Sequence, residues 1–149
     1  MSKKMNETIL KFGYPATLVA EYEHWIVLLR PAQVTLGSLI LAAKSDATAF
    51  PDLPAAAFDE LQQVTRHIEA TLKTVVDYAK INYLMLMMVD PHVHFHVFPR
   101  YEGDRETRGI ARHDAGWPKT PDLTQALTLD ENQTQRLVDC LKEHWPSQG

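Results

Sequence analysis

Residues 90–100, Asp-Pro-His-Val-His-Phe-His-Val-Phe-Pro-Arg, constrain the fold of this chain more than any other stretch. Three histidines alternate there with apolar residues, and strict alternation is the side-chain period of a β-strand. The pattern predicts a strand that carries His92, His94 and His96 on one face. Val93, Phe95 and Val97 would then face the core. A row of three imidazoles on a rigid strand is an arrangement suited to catalysis or to metal binding.

The middle histidine of such a row is a candidate nucleophile. Neutral imidazole has one donor and one acceptor nitrogen, and its ordinary pKa of about 6.5 lets small shifts change its role. His94 with a free acceptor nitrogen could attack a phosphorus or acyl centre. His92 and His96, if protonated or donating, could hold the oxygens that gain charge during the attack. The other nitrogen of His94 would need an orienting partner, such as a backbone carbonyl.

A metal site is the alternative use of these histidines. At a strand rise of about 3.3 Å per residue, the Cβ atoms of His92 and His96 lie roughly 13 Å apart. Zinc–nitrogen bonds of about 2.0–2.1 Å are too short for this outer pair to share an ion on a straight strand. A neighbouring pair could share one. However, no CxxC or HExxH pattern supplies the remaining ligands. A zinc-binding protein therefore stays the less favoured hypothesis.

The run 92–98 resembles the motif of the histidine triad (HIT) superfamily, in which three histidines alternate with hydrophobic residues and two more hydrophobics follow. The resemblance covers about residues 16–105, including the segment 37–41 and Asn82. Residues 114–118, Asp-Ala-Gly-Trp-Pro, and the closing helix are similar to the dinucleoside polyphosphate hydrolase branch. The resemblance implies an antiparallel sheet packed by one long helix and a C-terminal helix. It also implies a homodimer in which two sheets join edge to edge.

By this resemblance, the chain is a hydrolase or nucleotidyl transferase that cleaves purine nucleotide conjugates at the α-phosphate. The substrate would be a dinucleoside polyphosphate or a nucleoside phosphoramidate. His94 would attack phosphorus and form a nucleotidyl-histidine intermediate, and His96 would contact the phosphate or leaving group. His92 would set the geometry and tautomer of His94. No cofactor is required by this mechanism, although a phosphate substrate could arrive bound to magnesium.

Several positions depart from the pattern of the family. The glutamine and serine found shortly before the first histidine in some branches are here Met88 and Val89. A fourth histidine of the family corresponds to Ser38, and the residue that holds the ribose corresponds to Arg30; Asn82 is retained. The resemblance implies substrate-binding roles for Asn82, Ser38 and Arg30. The lost polar residues favour an alternative, a nucleotide-binding dimer with little or no catalysis.

Composition narrows the class of protein. A chain of 149 residues that is 45% hydrophobic predicts one globular domain over residues 1–149, with a core over about 16–105 and an extension over 106–149. A net charge of −4 argues against a nucleic-acid surface. Residues 1–7 lack an apolar signal core, and the longest apolar run, 83–89, is too short to span a membrane. We therefore expect a cytoplasmic protein whose single cysteine, Cys140, packs in the core.

Periodicity predicts the secondary structure. Apolar residues at steps of three and four make one stripe along residues 55–79, which predicts a long helix. Strands without βαβ repetition predict an α+β fold with an antiparallel sheet. The three methionines of residues 85–88 are expected to fill core space, and residues 101–114 are expected to form a charged loop. The remaining predicted elements are a short helix over 5–12, strands over 17–23, 25–29, 38–43, 82–89 and 92–98, and a last helix that Asp130 caps and that runs to about Trp145. Strands 25–29 and 38–43 are expected to form a hairpin-like pair, and strands 82–89 and 92–98 to pair antiparallel. The apolar face of the last helix is expected to consist of Leu137, Val138 and Leu141.

Overall fold

The computed structural model describes residues 4–147. Residues 1–3 and 148–149 lie outside it, and with them part of the N-terminal stretch predicted to lack a signal core. Within residues 4–147, no helix has the length and apolar character needed to cross a membrane. The elements in chain order are α1 Glu7–Lys11, β1 Leu18–Glu21, β2 Trp25–Leu29, β3 Ala32–Gln33, β4 Leu39–Ala43, a 3-10 turn Phe50–Asp52, α2 Ala55–Val76, β5 Lys80–Leu84, β6 His94–Arg100, β7 Asp104–Thr107, β8 Ile110–His113, β9 Leu127–Thr128 and α3 Glu131–His144.

The main sheet has five strands in the order β1-β2-β4-β6-β5, and every neighbouring pair is antiparallel. The predicted hairpin-like pair is present as β2 and β4, and the predicted pairing of the triad strand with the strand before it is present as β6 and β5. Two small two-stranded sheets, β3-β9 and β7-β8, accompany it. This architecture confirms the predicted α+β fold with an antiparallel sheet, a long helix and a C-terminal helix.

One face of the sheet holds the larger core. α2 places Val64, Ile68 and Leu72 against it, all without exposed surface, as the apolar stripe predicts. Val93 and Val97 are also fully buried on this side, so the apolar residues of the alternating stretch face the core. α3 begins with the predicted cap at Asp130. It buries the predicted apolar residues Leu137, Val138 and Leu141, together with Cys140.

The opposite face of the sheet is covered by α1. Asn6 caps this helix by accepting from the Ile9 N–H group, and its Nδ2 donates to the carbonyl of Ala43 at 3.0 Å. These bonds hold α1 across the sheet, on the side to which the histidines point. The smaller core formed there consists of Ile9, Ile26, Leu28, Ile40 and Ala42, with Met5, Phe12, Tyr14 and Leu18 partly buried against it.

The strand predicted over residues 82–89 is wrong at both ends. β5 begins at Lys80 and ends at Leu84. The following loop carries Met88 with 86% of its surface exposed, so only the other two methionines of the loop pack against the core. β6 begins at His94, two residues later than predicted. Pro91, which has no N–H group for a ladder, interrupts the pairing between the two strands.

The end of α2 and the structure of residues 101–114 also differ from the predictions. α2 ends at Val76, three residues early, because Asp77 adopts a left-handed conformation at φ 53° and its N–H caps the helix. The predicted loop 101–114 contains the hairpin β7-β8. Its two-residue turn, Arg108-Gly109, has positive φ at both positions, which matches the twist of paired strands. This hairpin is not evident from the sequence, because Arg-Gly is not among the usual dipeptides of such turns.

Candidate functional site

The triad lies where β6 enters the sheet. His94 and His96 pair across the strands with Ala42 and Ile40 of β4, on the face covered by α1. Their ring centroids are 5.1 Å apart and nearly perpendicular, at 71°. His92 precedes the strand and is half-buried, with its Nδ1 3.1 Å from Thr8 Oγ1 of α1. The structure therefore brings the three predicted catalytic histidines together beneath one helix.

The hydrogen bonds of His94 define its tautomer. Its Nδ1 lies 2.7 Å from the carbonyl oxygen of His92. Because a carbonyl only accepts, Nδ1 carries the proton and Nε2 is left as an acceptor. Nε2 is buried and has no hydrogen-bond partner within residues 4–147. An oriented imidazole with a free lone pair is the arrangement that a nucleophilic histidine needs.

His96 has the opposite tautomer. Its Nδ1 accepts from Arg30 Nε at 3.3 Å, and because a guanidinium only donates, the proton of the neutral ring is on Nε2. Burial, followed by the positive charge of Arg30 and the neighbouring His94, lowers the pKa of His96 to about 4. Asp90 acts in the other direction, less strongly. Near neutral pH, His96 is therefore an uncharged donor beside a ring that accepts.

α1 covers the triad through a residue that the sequence argument did not identify. The ring of Phe12 lies 5.8 Å from the ring centroids of both His94 and His96. A salt bridge of 2.8 Å between Lys11 and Asp90 joins the same end of α1 to the loop before β6. The spacing of Met5, Ile9 and Phe12 by four and three residues marks the apolar side of this helix in the sequence, but not what that side covers.

Asn82 lies on the same face of the sheet as the histidines, farther along β5 and β6. It pairs across the strands with Phe98, and its Oδ1 accepts from Arg100 Nη1 at 2.8 Å. Arg100 is also bound through two nitrogens to the carboxylate of Asp114, at 2.7 and 3.0 Å. A cleft of about 450 Å³ opens over this group, and Lys80, Ile81, Trp117, Pro118, Lys119 and Thr120 complete its lining.

Ser38 is fully buried in the turn before β4. Its hydroxyl donates to the carbonyl of Thr35 at 2.7 Å, so the side chain is engaged within the turn. Its own carbonyl accepts the backbone N–H of Arg30 at 2.9 Å. Of the three predicted substrate-binding residues, the structure brings Arg30 against His96 and places Asn82 on the same face. The Ser38 side chain is not brought to the triad.

Comparison with known families agrees with this geometry. The model of the HIT domain family matches residues 12–103, which run from Phe12, just after α1, through the triad and the strands that hold it. The chain belongs to the HIT family. This confirms the resemblance to the HIT superfamily noted in the sequence. A search of curated proteins found no match.

Solved structures share the HIT fold across nearly the whole chain. A histidine triad protein from Sinorhizobium meliloti is 20% identical over 95% of this chain and 96% of its own, with a TM-score of 0.74. A hypothetical histidine triad nucleotide-binding protein from Sulfolobus tokodaii is 20% identical over 86% of this chain and 82% of its own, with a TM-score of 0.66. Diadenosine triphosphate hydrolase from Plasmodium falciparum is 10% identical over 96% of this chain and 84% of its own, with a TM-score of 0.65.

The site of this HIT protein presents two neighbouring imidazoles with complementary functions. His94 offers a lone pair and His96 offers an N–H group, both on the face beneath α1. A tetrahedral phosphate, with an electrophilic centre and negative oxygens, matches that pair. Within the described residues, no group of three or more His, Cys, Asp or Glu side chains is placed to hold a metal ion.

Proposed function

We propose that this HIT protein hydrolyses purine nucleotide conjugates at the α-phosphate through a nucleotidyl-histidine intermediate. The observation that carries the proposal is the state of His94, whose Nδ1 is held by the His92 carbonyl and whose Nε2 is an unpartnered acceptor. Two proteins with the same fold, a diadenosine triphosphate hydrolase and a hypothetical nucleotide-binding protein, support a nucleotide as substrate.

In the proposed reaction, His94 Nε2 attacks the α-phosphorus and the bond to the leaving group breaks. Water then releases the nucleoside monophosphate from His94. The Nε2–H group of His96 donates to an oxygen of the phosphate or leaving group, where negative charge accumulates. His92 acts through its carbonyl, which holds His94 in the reactive tautomer. Magnesium enters only as a companion of the phosphate substrate.

The substrate lies, in this proposal, along the face that carries the triad. Arg30 supplies positive charge next to His96, and Asn82 borders the basic cleft that continues the same face. Ser38 contributes through its carbonyl, which holds the backbone of Arg30. Because the His94 ring has no exposed surface beneath Phe12, a substrate reaches Nε2 only when Phe12 or α1 shifts.

Rapid-quench intact-mass analysis tests the covalent step. Wild type, His94→Ala and the control His113→Ala, whose histidine is exposed on β8, are mixed with diadenosine tetraphosphate or an adenosine phosphoramidate. We expect a transient gain of one nucleotidyl group in wild type and control, mapped to His94, and none in His94→Ala. We also expect turnover by His94→Ala to fall by about 10⁴-fold. Turnover of either substrate without the adduct would reject the proposed intermediate.

A nucleotide-binding protein with little or no catalysis is the second candidate. The complete burial of His94 beneath α1 favours it, because this closed arrangement keeps substrate away from Nε2. The same experiment separates the two candidates. Binding of adenosine monophosphate, measured by calorimetry, with neither adduct nor product from either conjugate would select the binder.

We further propose a homodimer formed through β5. Among residues 4–147, no strand pairs with the outer edge of β5, and exposed apolar side chains follow it directly at Leu86, Met88 and Val89. An unpaired edge next to apolar surface is suited to pairing with a second chain. Analytical ultracentrifugation should give a dimer for the wild type and a monomer for Met88→Asp/Val89→Asp. The exposed double variant Leu10→Asp/Leu123→Asp is the control, and equal dimerisation of all three would contradict this interface.

A further inference from the structure

Arg30 is held on several sides in the position where it meets His96. Its N–H donates to the Ser38 carbonyl at 2.9 Å, and its carbonyl accepts from Gln33 Nε2 at 2.7 Å. Its Nη1 donates to the Ala32 carbonyl at 2.6 Å, and the guanidinium carbon lies 5.6 Å from the ring centre of Phe98. With backbone and guanidinium both fixed, Nε points at His96 Nδ1.

This contact allows only one form of His96. An imidazolium would turn an N–H group at Nδ1 toward the N–H donor of Arg30, with two positive charges in contact. The neutral tautomer with its proton on Nδ1 would likewise place an N–H group of His96 against the N–H group of Arg30. Phe98 stacks parallel to the ring at 6.1 Å and leaves it no polar alternative on that side. His96 therefore faces the reacting phosphate as a neutral Nε2–H group.

A neutral Nε2–H group can donate a hydrogen bond but cannot act as an acid. It stabilises a negative oxygen, yet giving up its proton would create an imidazolate. The amine that leaves a phosphoramidate needs a proton as its bond to phosphorus breaks, whereas the phosphate that leaves an anhydride departs as a stable anion. The two candidate substrate classes therefore make different demands on His96.

We propose that Arg30 is a positioning residue that holds His96 as a neutral Nε2–H donor, and that this makes the site selective for phosphoanhydrides over phosphoramidates. The inference rests on the proposed function and names the substrate class of that same site. Dinucleoside polyphosphates have the required chemistry, since their leaving group is a nucleotide anion. The positive charge of Arg30 further stabilises that anion.

The covalent step balances without an acid. The Nε2 lone pair of His94 forms the bond to the α-phosphorus, and the bond from phosphorus to the bridging oxygen breaks. Its electron pair leaves with the departing phosphate, while Nδ1–H of His94 stays bonded to the His92 carbonyl. In the second half, a water oxygen bonds to phosphorus and the electron pair of the N–P bond returns to Nε2. One proton of the water passes to solvent.

The first test compares the two substrate classes in variants of Arg30. Values of kcat/KM for diadenosine triphosphate and an adenosine phosphoramidate are measured between pH 5 and pH 8. The proteins are wild type, Arg30→Met, Arg30→Lys and the control Arg66→Met, an exposed arginine of α2. We expect wild type and control to favour the anhydride by at least about tenfold, and Arg30→Met to lose about 10- to 100-fold on the anhydride.

The pH dependence in that test separates positioning from a structural role. Without Arg30, the pKa of His96 rises, so at the acid end of this range a larger fraction of His96 is imidazolium in Arg30→Met than in wild type. The phosphoramidate should gain relative to the anhydride below pH 6, because an imidazolium can then supply the proton. Arg30→Lys keeps the charge without the planar Nε donor, so we expect it to restore part of the selectivity.

The second test observes the tautomers directly, without activity. Nitrogen-15 spectra of histidine-labelled protein should show Nδ1–H for His94 and Nε2–H for His96, and His96 of Arg30→Met should exchange between both forms. A wild-type His96 with Nδ1–H would overturn the inference. Equal or preferred cleavage of the phosphoramidate, with the His94 adduct present, would overturn the selectivity alone and leave the proposed function standing. Absence of the adduct with both substrates would refute the proposed function and this inference with it.

Discussion

The two faces of the central sheet are built from the same strands but packed in different ways. One face meets the 22-residue helix α2 and α3 over a large apolar core. The other meets the five-residue helix α1 over five buried apolar residues, two histidines and a stacked arginine. Ile40 and Leu41, adjacent in β4, belong to opposite faces and are equally buried.

This difference separates stability from chemistry within single strands. The two-residue period of β6 sends Val93, Phe95 and Val97 to the large core and keeps His94 and His96 beneath α1. Burial on the α1 side is what shifts the pKa of His96 and hides the His94 lone pair. A short helix buries little apolar surface, so it can cover a site and still open at a low cost in free energy.

Truncation of the two neighbours in β4 gives the largest expected effect on this comparison. Leu41→Ala and Ile40→Ala should each lower the free energy of unfolding by about 2–5 kcal/mol, because both side chains are fully buried. Only Ile40→Ala should also lower kcat/KM, since Ile40 is the cross-strand neighbour of His96. Urea unfolding and steady-state kinetics measure the two quantities. An equal loss of kcat/KM in both variants would contradict the conclusion that only the face beneath α1 contributes to the chemistry.

The pH dependence of folding stability, the second-largest expected effect, tests the packing of the face that carries the histidines. The pKa of His96 is about 4 in the folded chain and 6.5 in the unfolded chain, so the unfolded chain binds the proton first as pH falls. The resulting loss of folding stability is absent above about pH 6.5 and grows as pH falls towards 4. His96→Gln should therefore lose about 2 kcal/mol less stability than wild type between pH 7 and pH 5. Identical losses in urea unfolding at the two pH values would contradict the buried neutral ring.

Removal of the ring that covers the triad has the smallest expected effect on stability. Phe12→Ala should cost about 1–2 kcal/mol, because Phe12 is only partly buried, and should expose both histidines. The pKa of His96 should then rise from about 4 towards 6.5, as the largest cause of its shift is burial. Histidine NMR titration measures this, with Phe58→Ala, on the other face, as control. An unchanged pKa would show that α1 does not create the low-polarity environment.

Local patterns predicted the elements and the face on which the histidines of the strand lie, but not the contacts around them. Alternation over residues 92–98 identified the strand and the face of its histidines, and the stripe of α2 and the cap at Asp130 identified both helices. The strand continued to Val89 in the prediction because apolar residues do not reveal where pairing stops. The function of α1 was missed for a related reason, since an amphipathic helix shows which side is apolar but not its partner.

The sequence by itself determined that His94 and His96 share one face of a strand whose other face is core, because side-chain direction in a strand depends only on the period of the backbone. Which nitrogen of His96 carries its proton was decided by the tertiary structure. His92 meets Thr8 across 84 residues of chain and His96 meets Arg30 across 66. The donor state of His96 follows from a partner that only folding brings together, since a tautomer is set by the hydrogen bond at the other nitrogen of the ring. The acceptor state of His94 follows instead from the carbonyl of His92, two residues away in the chain.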